Sequence, residues 1–355
     1  MLRLPLEVER RVAHWSALGD LGSMLRLDKA SYLNLISLFY QNITINTTEQ
    51  LDLFFAAITS DIPAIDRTPL RLLPRTLVIS QANQSASPNP DTIVTILADL
   101  VRLEELQLEL DMDCLDQVFA LGQLIQVSFK LKRFCCPLLA GSGFRSFLQH
   151  QTTIECLDIM DKSGLRALDL FEHEAIDHTF LPKLRELTSG AEAVSKIVPG
   201  RPVSIIHSTH FFESIGISSI TDALSRSSAP LNALCATTFL RELSKFENFI
   251  FRWLHGLEYA SYSLERIEFR FIATPVLYMM SSDRSVRVSV DELSLTAALQ
   301  PFKMLRKFII ESSSSRLPPP NIVIDAPFLT LPNFWKDACP SLRVVSLFGN
   351  EIAIE

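Results

Sequence analysis

His173-Glu-Ala-Ile-Asp-His178 carries the residue types of a zinc-binding helix without its spacing. The H-E-x-x-H pattern sets its histidines four residues apart on one face. At five residues the second lies about 140° around the helix, so both cannot reach one metal. His207-Ser-Thr-His210 has no nearby cysteine or clustered carboxylate to complete a ligand set. Ala140-Gly-Ser-Gly-Phe144 fails as a nucleophile elbow, which needs one residue between each glycine and the serine, and it lacks the Lys-Ser/Thr of a phosphate loop. It reads as a turn before a helix containing Phe144 to Leu148. Adjacent Cys135 and Cys136 fall on a predicted strand, so Cys136 is expected in the core and Cys135 on the opposite face. No histidine or helix N-terminus is evident to lower the pKa of Cys135. Lys130-Leu-Lys-Arg133 is the densest basic patch, and without interleaved aromatic residues it reads as a solvated face. A dispersed triad is the enzyme alternative. The expectation is a chain with no catalytic residue, no metal and no cofactor.

The elements that position these residues are bounded by composition. The chain has 355 residues, 48% of them apolar, and 33 Lys plus Arg against 40 Asp plus Glu, for a net charge of -7. That hydrophobicity excludes intrinsic disorder. The acidic balance offers no surface for phosphate backbones, so no nucleic acid is expected as a partner. The longest apolar run, Leu53 to Ile58, is six residues, whereas a membrane span needs about 20. No membrane association is expected. The charged segment Met1 to Arg11 has no apolar h-region, which argues against secretion. Six scattered cysteines without a C-x-x-C read as reduced thiols of an intracellular protein, cytoplasmic or nuclear. The sequons at Asn42, Asn46 and Asn83 then carry no glycosylation reading.

A template, L-x-x-L-x-L with other apolar residues allowed, recurs along the chain. Its copies are Leu103/Leu106/Leu108, Leu131/Phe134/Cys136, Ile154/Leu157/Ile159, Leu264/Ile267/Phe269, Leu305/Phe308/Ile310 and Leu342/Val345/Leu347. Weaker copies start at Leu184 and Leu231, and Leu77-Val-Ile79 and Val203-Ser-Ile-Ile206 are further strand candidates. Each copy ends in the alternation of a half-buried strand, as in Ile267-Glu-Phe-Arg-Phe271. Between copies lie helical patterns: Ile93 to Val101 capped by Asp91, Phe144 to Gln149, Ala191 to Val198, Ile217 to Leu224, Phe246 to Leu254, Leu293 to Leu299 and Leu331 to Ala338. Strand and helix alternating in this way predict an irregular α/β solenoid with parallel strands over residues 47–355. Residues 1–46 lack the template and read as a small helical module. Gln81 to Pro90 and Ser312 to Pro320 read as loops. Alternation turns Gln107, Glu109, Asp158, Glu268, Arg270, Ile309 and Glu311 away from the core.

Leu4-Pro5-Leu6-Glu7-Val8, then Val12, Asp20-Leu21, Leu25, Leu27 and Leu38-Phe-Tyr40-Gln-Asn-Ile43 resemble an F-box. The resemblance is to the variant that opens many fungal F-box proteins with leucine-rich-repeat-like tails. Phe180-Leu-Pro-Lys-Leu-Arg-Glu-Leu187, Ile197-Val-Pro-Gly-Arg-Pro-Val203 and Cys339-Pro-Ser-Leu-Arg343 are similar to stretches of those tails. The pattern departs from the family at Trp15 to Gly19 and at Asp28-Lys29-Ala30-Ser31-Tyr32. The resemblance implies a non-enzymatic substrate-recognition adaptor of a cullin-RING (SCF) ubiquitin ligase. Leu4, Pro5, Val8, Val12, Leu21 and Leu25 would bind the Skp-type adaptor. The outward strand residues Gln107, Glu109, Asp158, Glu268, Arg270, Ile309 and Glu311 would bind an unknown target protein. A non-ligase interaction scaffold with a degenerate F-box is the alternative.

Overall fold

The computed structural model describes residues 40–60, 69–80, 87–120, 123–137, 139, 141–160, 176–177, 179–211, 217–240, 246–273, 285–288, 290–313, 321–324 and 326–354. The chain divides into two compact units, Met1–Ile154 and Glu155–Glu355. The positions expected to form the F-box-like contact, Leu4 to Leu25, lie outside the described residues, as do His173 and His178.

In the first unit, strands β1 (Asn42–Ile45), β2 (Thr76–Ser80), β3 (Glu105–Glu109) and β4 (Arg133–Pro137) pair in chain order and in parallel. A parallel pair needs a crossover, and here each is a helix: α1 (Thr48–Thr59), α2 (Pro90–Asp99) and α3 (Met112–Ala120), with α4 (Ser142–His150) following β4. β1 falls within the 1–46 range read as helical, and it is the first strand of this sheet. Strands β2 and β3 alternate buried and half-buried residues, as the template requires. Asn89, not Asp91, caps α2: its side chain accepts from the Asp91 N–H at 3.0 Å, and Pro90 takes the first helical position. α4 starts at Ser142, inside the segment read as a turn. Phe119 of α3, Phe134 of β4 and Phe144 and Phe147 of α4 form the core between helices and sheet, with ring centroids 5.0 to 6.5 Å apart.

In the second unit, β5 (Cys156–Met160), β6 (Glu186–Gly190), β7 (Ile205–Phe211), β8 (Ala233–Leu240), β9 (Arg266–Ala273), β11 (Lys307–Ser313) and β13 (Val344–Leu347) form a parallel sheet in that order. Helices α5 (Ala191–Ile197), α6 (Ile217–Ser225), α7 (Phe246–Gly256), α8 (Glu292–Leu299) and α9 (Pro332–Ala338) supply crossovers. Between β9 and β13 the chain also forms β10 (Ser285–Val288) and β12 (Asn321–Ile324), a separate parallel pair. The expected all-parallel array is corrected at its end, where β14 (Asn350–Ala353) runs antiparallel to β13. Phe348 and Gly349 close that hairpin with φ of 51° and 86°, the left-handed pair that a two-residue turn requires. The strand expected at Val203 begins at Ile205.

Arg201 pins the segment leading into β7. It is 1% exposed, and its guanidinium donates to four carbonyls: Phe180 and Ile197 at 2.6 Å, Asp177 at 2.7 Å and Pro199 at 2.8 Å. Its charge also lies 5.7 Å over the Phe180 ring. A buried cation is tolerated only when its donors are used in this way.

Candidate functional site

A parallel strand points alternate side chains to opposite faces, and in-register neighbours then form rows across the sheet. In the first unit Gln107 lies in register with Val78 and Cys135. Gln107 Nε2 donates to Glu109 Oε1 at 2.7 Å, and Ser80 Oγ donates to Glu109 Oε2 at 2.7 Å. These residues share the face opposite buried Leu106 and Leu108. Cys135 is half-buried on that face and Cys136 is in the core, as the alternation predicts.

In the second unit one row runs Asp158, Thr188, His207, Cys235, Glu268, Ile309 and Ser346 over seven strands. Asp158, His207 and Ile309 are half-buried. Arg266 and Arg270 sit two residues either side of Glu268 on the same strand, hence on the same face. Arg266 Nη2 and Arg270 Nε both donate to the Glu268 carboxylate. Glu268 was expected to be an exposed contact. The structure corrects this: both arginines engage its carboxylate, and it is only 1% exposed.

Burial alone would raise the Glu268 pKa, but the Arg266 hydrogen bond and the Arg270 charge outweigh it and hold the carboxyl below the ordinary glutamate value. Both arginines remain half-exposed with further N–H donors. Arg270 also lies 3.9 Å from Glu311, a solvated pair that binds weakly. Beside the clamp, burial pushes the Cys235 thiol up to about 11, with Glu268 adding to the effect. The thiol stays protonated at neutral pH and is a poor nucleophile. Burial lowers the His207 pKa although Glu186 lies 3.6 Å away and opposes the shift.

The structure thus places the outward positions in two sets: Gln107 and Glu109 in the first unit, and Asp158, Glu268, Arg270, Ile309 and Glu311 in the second. Sequence reading gives Arg266, His207, Cys235 and Glu186 no place on the outward surface. For Arg266 the signal is present, because Arg266-Ile-Glu-Phe-Arg270 is a charged stripe at period two. Chemically the clamp beside the row is a fixed set of donors around one carboxylate. Among the described residues no group of three or more His, Cys, Asp or Glu side chains could hold a metal ion. Nor is any described helix long and apolar enough to cross a membrane. No protein-family model matches the chain, and no curated protein matches it.

Proposed function

We propose that the chain is an F-box-type substrate-recognition adaptor of a cullin-RING (SCF) ubiquitin ligase. Its amino-terminal segment holds the Skp-type adaptor and its repeat-like parallel sheet presents a target protein. No bond chemistry occurs in this chain, and catalysis is the proximity it gives to a conjugating enzyme elsewhere in the assembly. The observation that supports recognition by the sheet is the Arg266–Glu268–Arg270 clamp. A guanidinium already held by a carboxylate loses less freedom on binding, so the row is a pre-organised surface. The amino-terminal half of the reading rests on the motif Leu4-Pro5-Leu6-Glu7-Val8.

Co-purification of the full chain with a Skp-type adaptor tests this reading, beside a Leu4→Ala/Pro5→Ala variant. Binding by the parent and its loss in a variant of unchanged circular dichroism is the expected result. A folded parent that does not bind leaves the sheet as a free-standing interaction scaffold and removes the ligase role.

A further inference from the structure

We infer that a basic cleft at the start of β11 and β13 binds an acidic peptide segment. The cleft is about 460 Å³ in volume, and Lys303, Arg306, Lys336 and Arg343 line it together with apolar Met304 and Ile354. Among the described residues no carboxylate lines it, in a chain whose net charge is -7. Local charge therefore opposes the molecular average, and a concave surface of one sign concentrates the opposite charge.

The backbone brings these cations together. Arg306 immediately precedes β11 and Arg343 immediately precedes β13. The Arg343 N–H donates to the Arg306 carbonyl at 3.0 Å, and the Ile354 N–H donates to the Arg343 carbonyl at 3.0 Å. Arg306 and Arg343 are thus neighbours across a parallel ladder, about 4.8 Å apart along the hydrogen-bonding direction, and like charges so placed repel. Glu265 offers Arg306 a partner at 3.9 Å, too long for a hydrogen bond. Lys303 Nζ donates to the Gln300 carbonyl at 2.8 Å, which fixes the ammonium without neutralising it.

The ligand chemistry follows from how the charges are spread. They come from four segments: the turn after α8, the residue before β11, helix α9 and the residue before β13. That arrangement suits carboxylates spaced along a chain better than a single compact anion. Met304 and Ile354 suit the carbon stems between them. A nucleic acid is disfavoured, because no aromatic ring lines the cleft among the described residues and the acidic molecule offers no extended phosphate track. The cleft lies at the strand starts rather than on the outward row, and the inference stands whether or not the amino-terminal segment binds an adaptor.

Fluorescence anisotropy of the full chain with a labelled Glu/Ser peptide tests the inference, beside the same peptide with Gln for Glu. The expected result is saturable binding of the Glu peptide alone. It should weaken as salt is raised from about 0.05 to 0.5 M, where the Debye length shortens. In a Lys303→Gln/Arg343→Gln variant it should weaken about tenfold or more, the change expected when about 1.4 kcal/mol is lost. Both substitutions are at exposed positions, and the salt series on the unaltered chain needs no variant. Failure of the parent to bind, equal binding of the Gln peptide, or binding insensitive to both salt and variant overturns the inference. Tighter binding of single-stranded RNA, or full displacement of the peptide by equimolar inorganic phosphate, overturns the peptide as the ligand.

Discussion

Among the described residues two charged side chains, Arg201 and Glu268, are buried for different reasons, and substitution separates them. Arg201 spends its donors on four backbone carbonyls and is almost wholly buried. Arg201→Met should destabilise the fold by at least about 3 kcal/mol, because each buried acceptor left unpaired costs about 1–3 kcal/mol. Arg201→Lys should recover little, since an ammonium has three donors on one atom and cannot span the same carbonyls. Urea denaturation of the three proteins checks this, and near-equal midpoints would remove Arg201 as a pin. Glu268 is buried against two partners that are themselves half-exposed. Glu268→Gln removes one charge from a hydrogen-bonded trio and leaves the arginines facing each other. A loss of about 1–3 kcal/mol is expected by the same denaturation. Arg266→Gln should lose less, because the guanidinium that it removes is half in water.

Helix and strand packing sets the next scale, and Gly143 shows it most directly. A Cβ on Gly143 of α4 would lie 2.3 Å from the Phe119 carbonyl oxygen at the end of α3. The obstacle is backbone, so the two helices must separate and disturb the Phe119, Phe134, Phe144 and Phe147 cluster. Gly143→Ala should lower stability by about 1–3 kcal/mol, in the range of overpacked cores. Gly141, two residues earlier, has φ of -71°, and a Cβ there would meet only Asp116 Oδ1 at 4.0 Å, so Gly141→Ser is accommodated and gains a side-chain cap of a few tenths of a kcal/mol. Thermal melts of the pair should move in opposite directions. Such close approaches are invisible in a linear sequence, where Gly-Ser-Gly reads simply as a turn. Strand alternation is the opposite case: Leu106, Leu108, Ile267 and Phe269 recur at period two because one face of each strand is core. β7 is harder to phase, since Ile205 and Ile206 are adjacent and both apolar. The clamp is half legible for a related reason: Glu268 and Arg270 follow from alternation, but the row containing His207 and Cys235 depends on register between strands distant in sequence. β14 has no buried residue, so no periodicity marks it.

At the scale of the molecule, stability depends on pH through two sets of described groups, carboxyls and one histidine. Glu268 is held below its ordinary value once its arginine partners outweigh burial, as described above. Glu104 is held below its own by hydrogen bonding from Lys132, and Asp111 by hydrogen bonds from Ser87 and the Cys114 N–H. A carboxyl depressed in the folded state binds its proton more weakly there than in the unfolded chain. Its stabilisation is therefore complete above the unfolded value, about 4, and is lost as pH falls through the folded one. His207 is depressed by burial, against the pull of Glu186 and Glu268 and with help from Arg270 and Arg266. The unfolded chain protonates that ring from about pH 6.5 downward while the folded protein resists, so stability begins to fall there and levels off below the folded pKa. Both steps have the same sign, acid destabilising, but different windows. Denaturation midpoints at about pH 7.5, 5.5 and 2.5 should therefore decline twice in the parent. His207→Gln removes the upper decline attributable to this ring and keeps the lower one, and Glu268→Gln shrinks the lower one. If His207→Gln and the parent lose the same amount between about pH 7.5 and 5.5, the ring is not held neutral by its burial beside Cys235 and the clamp.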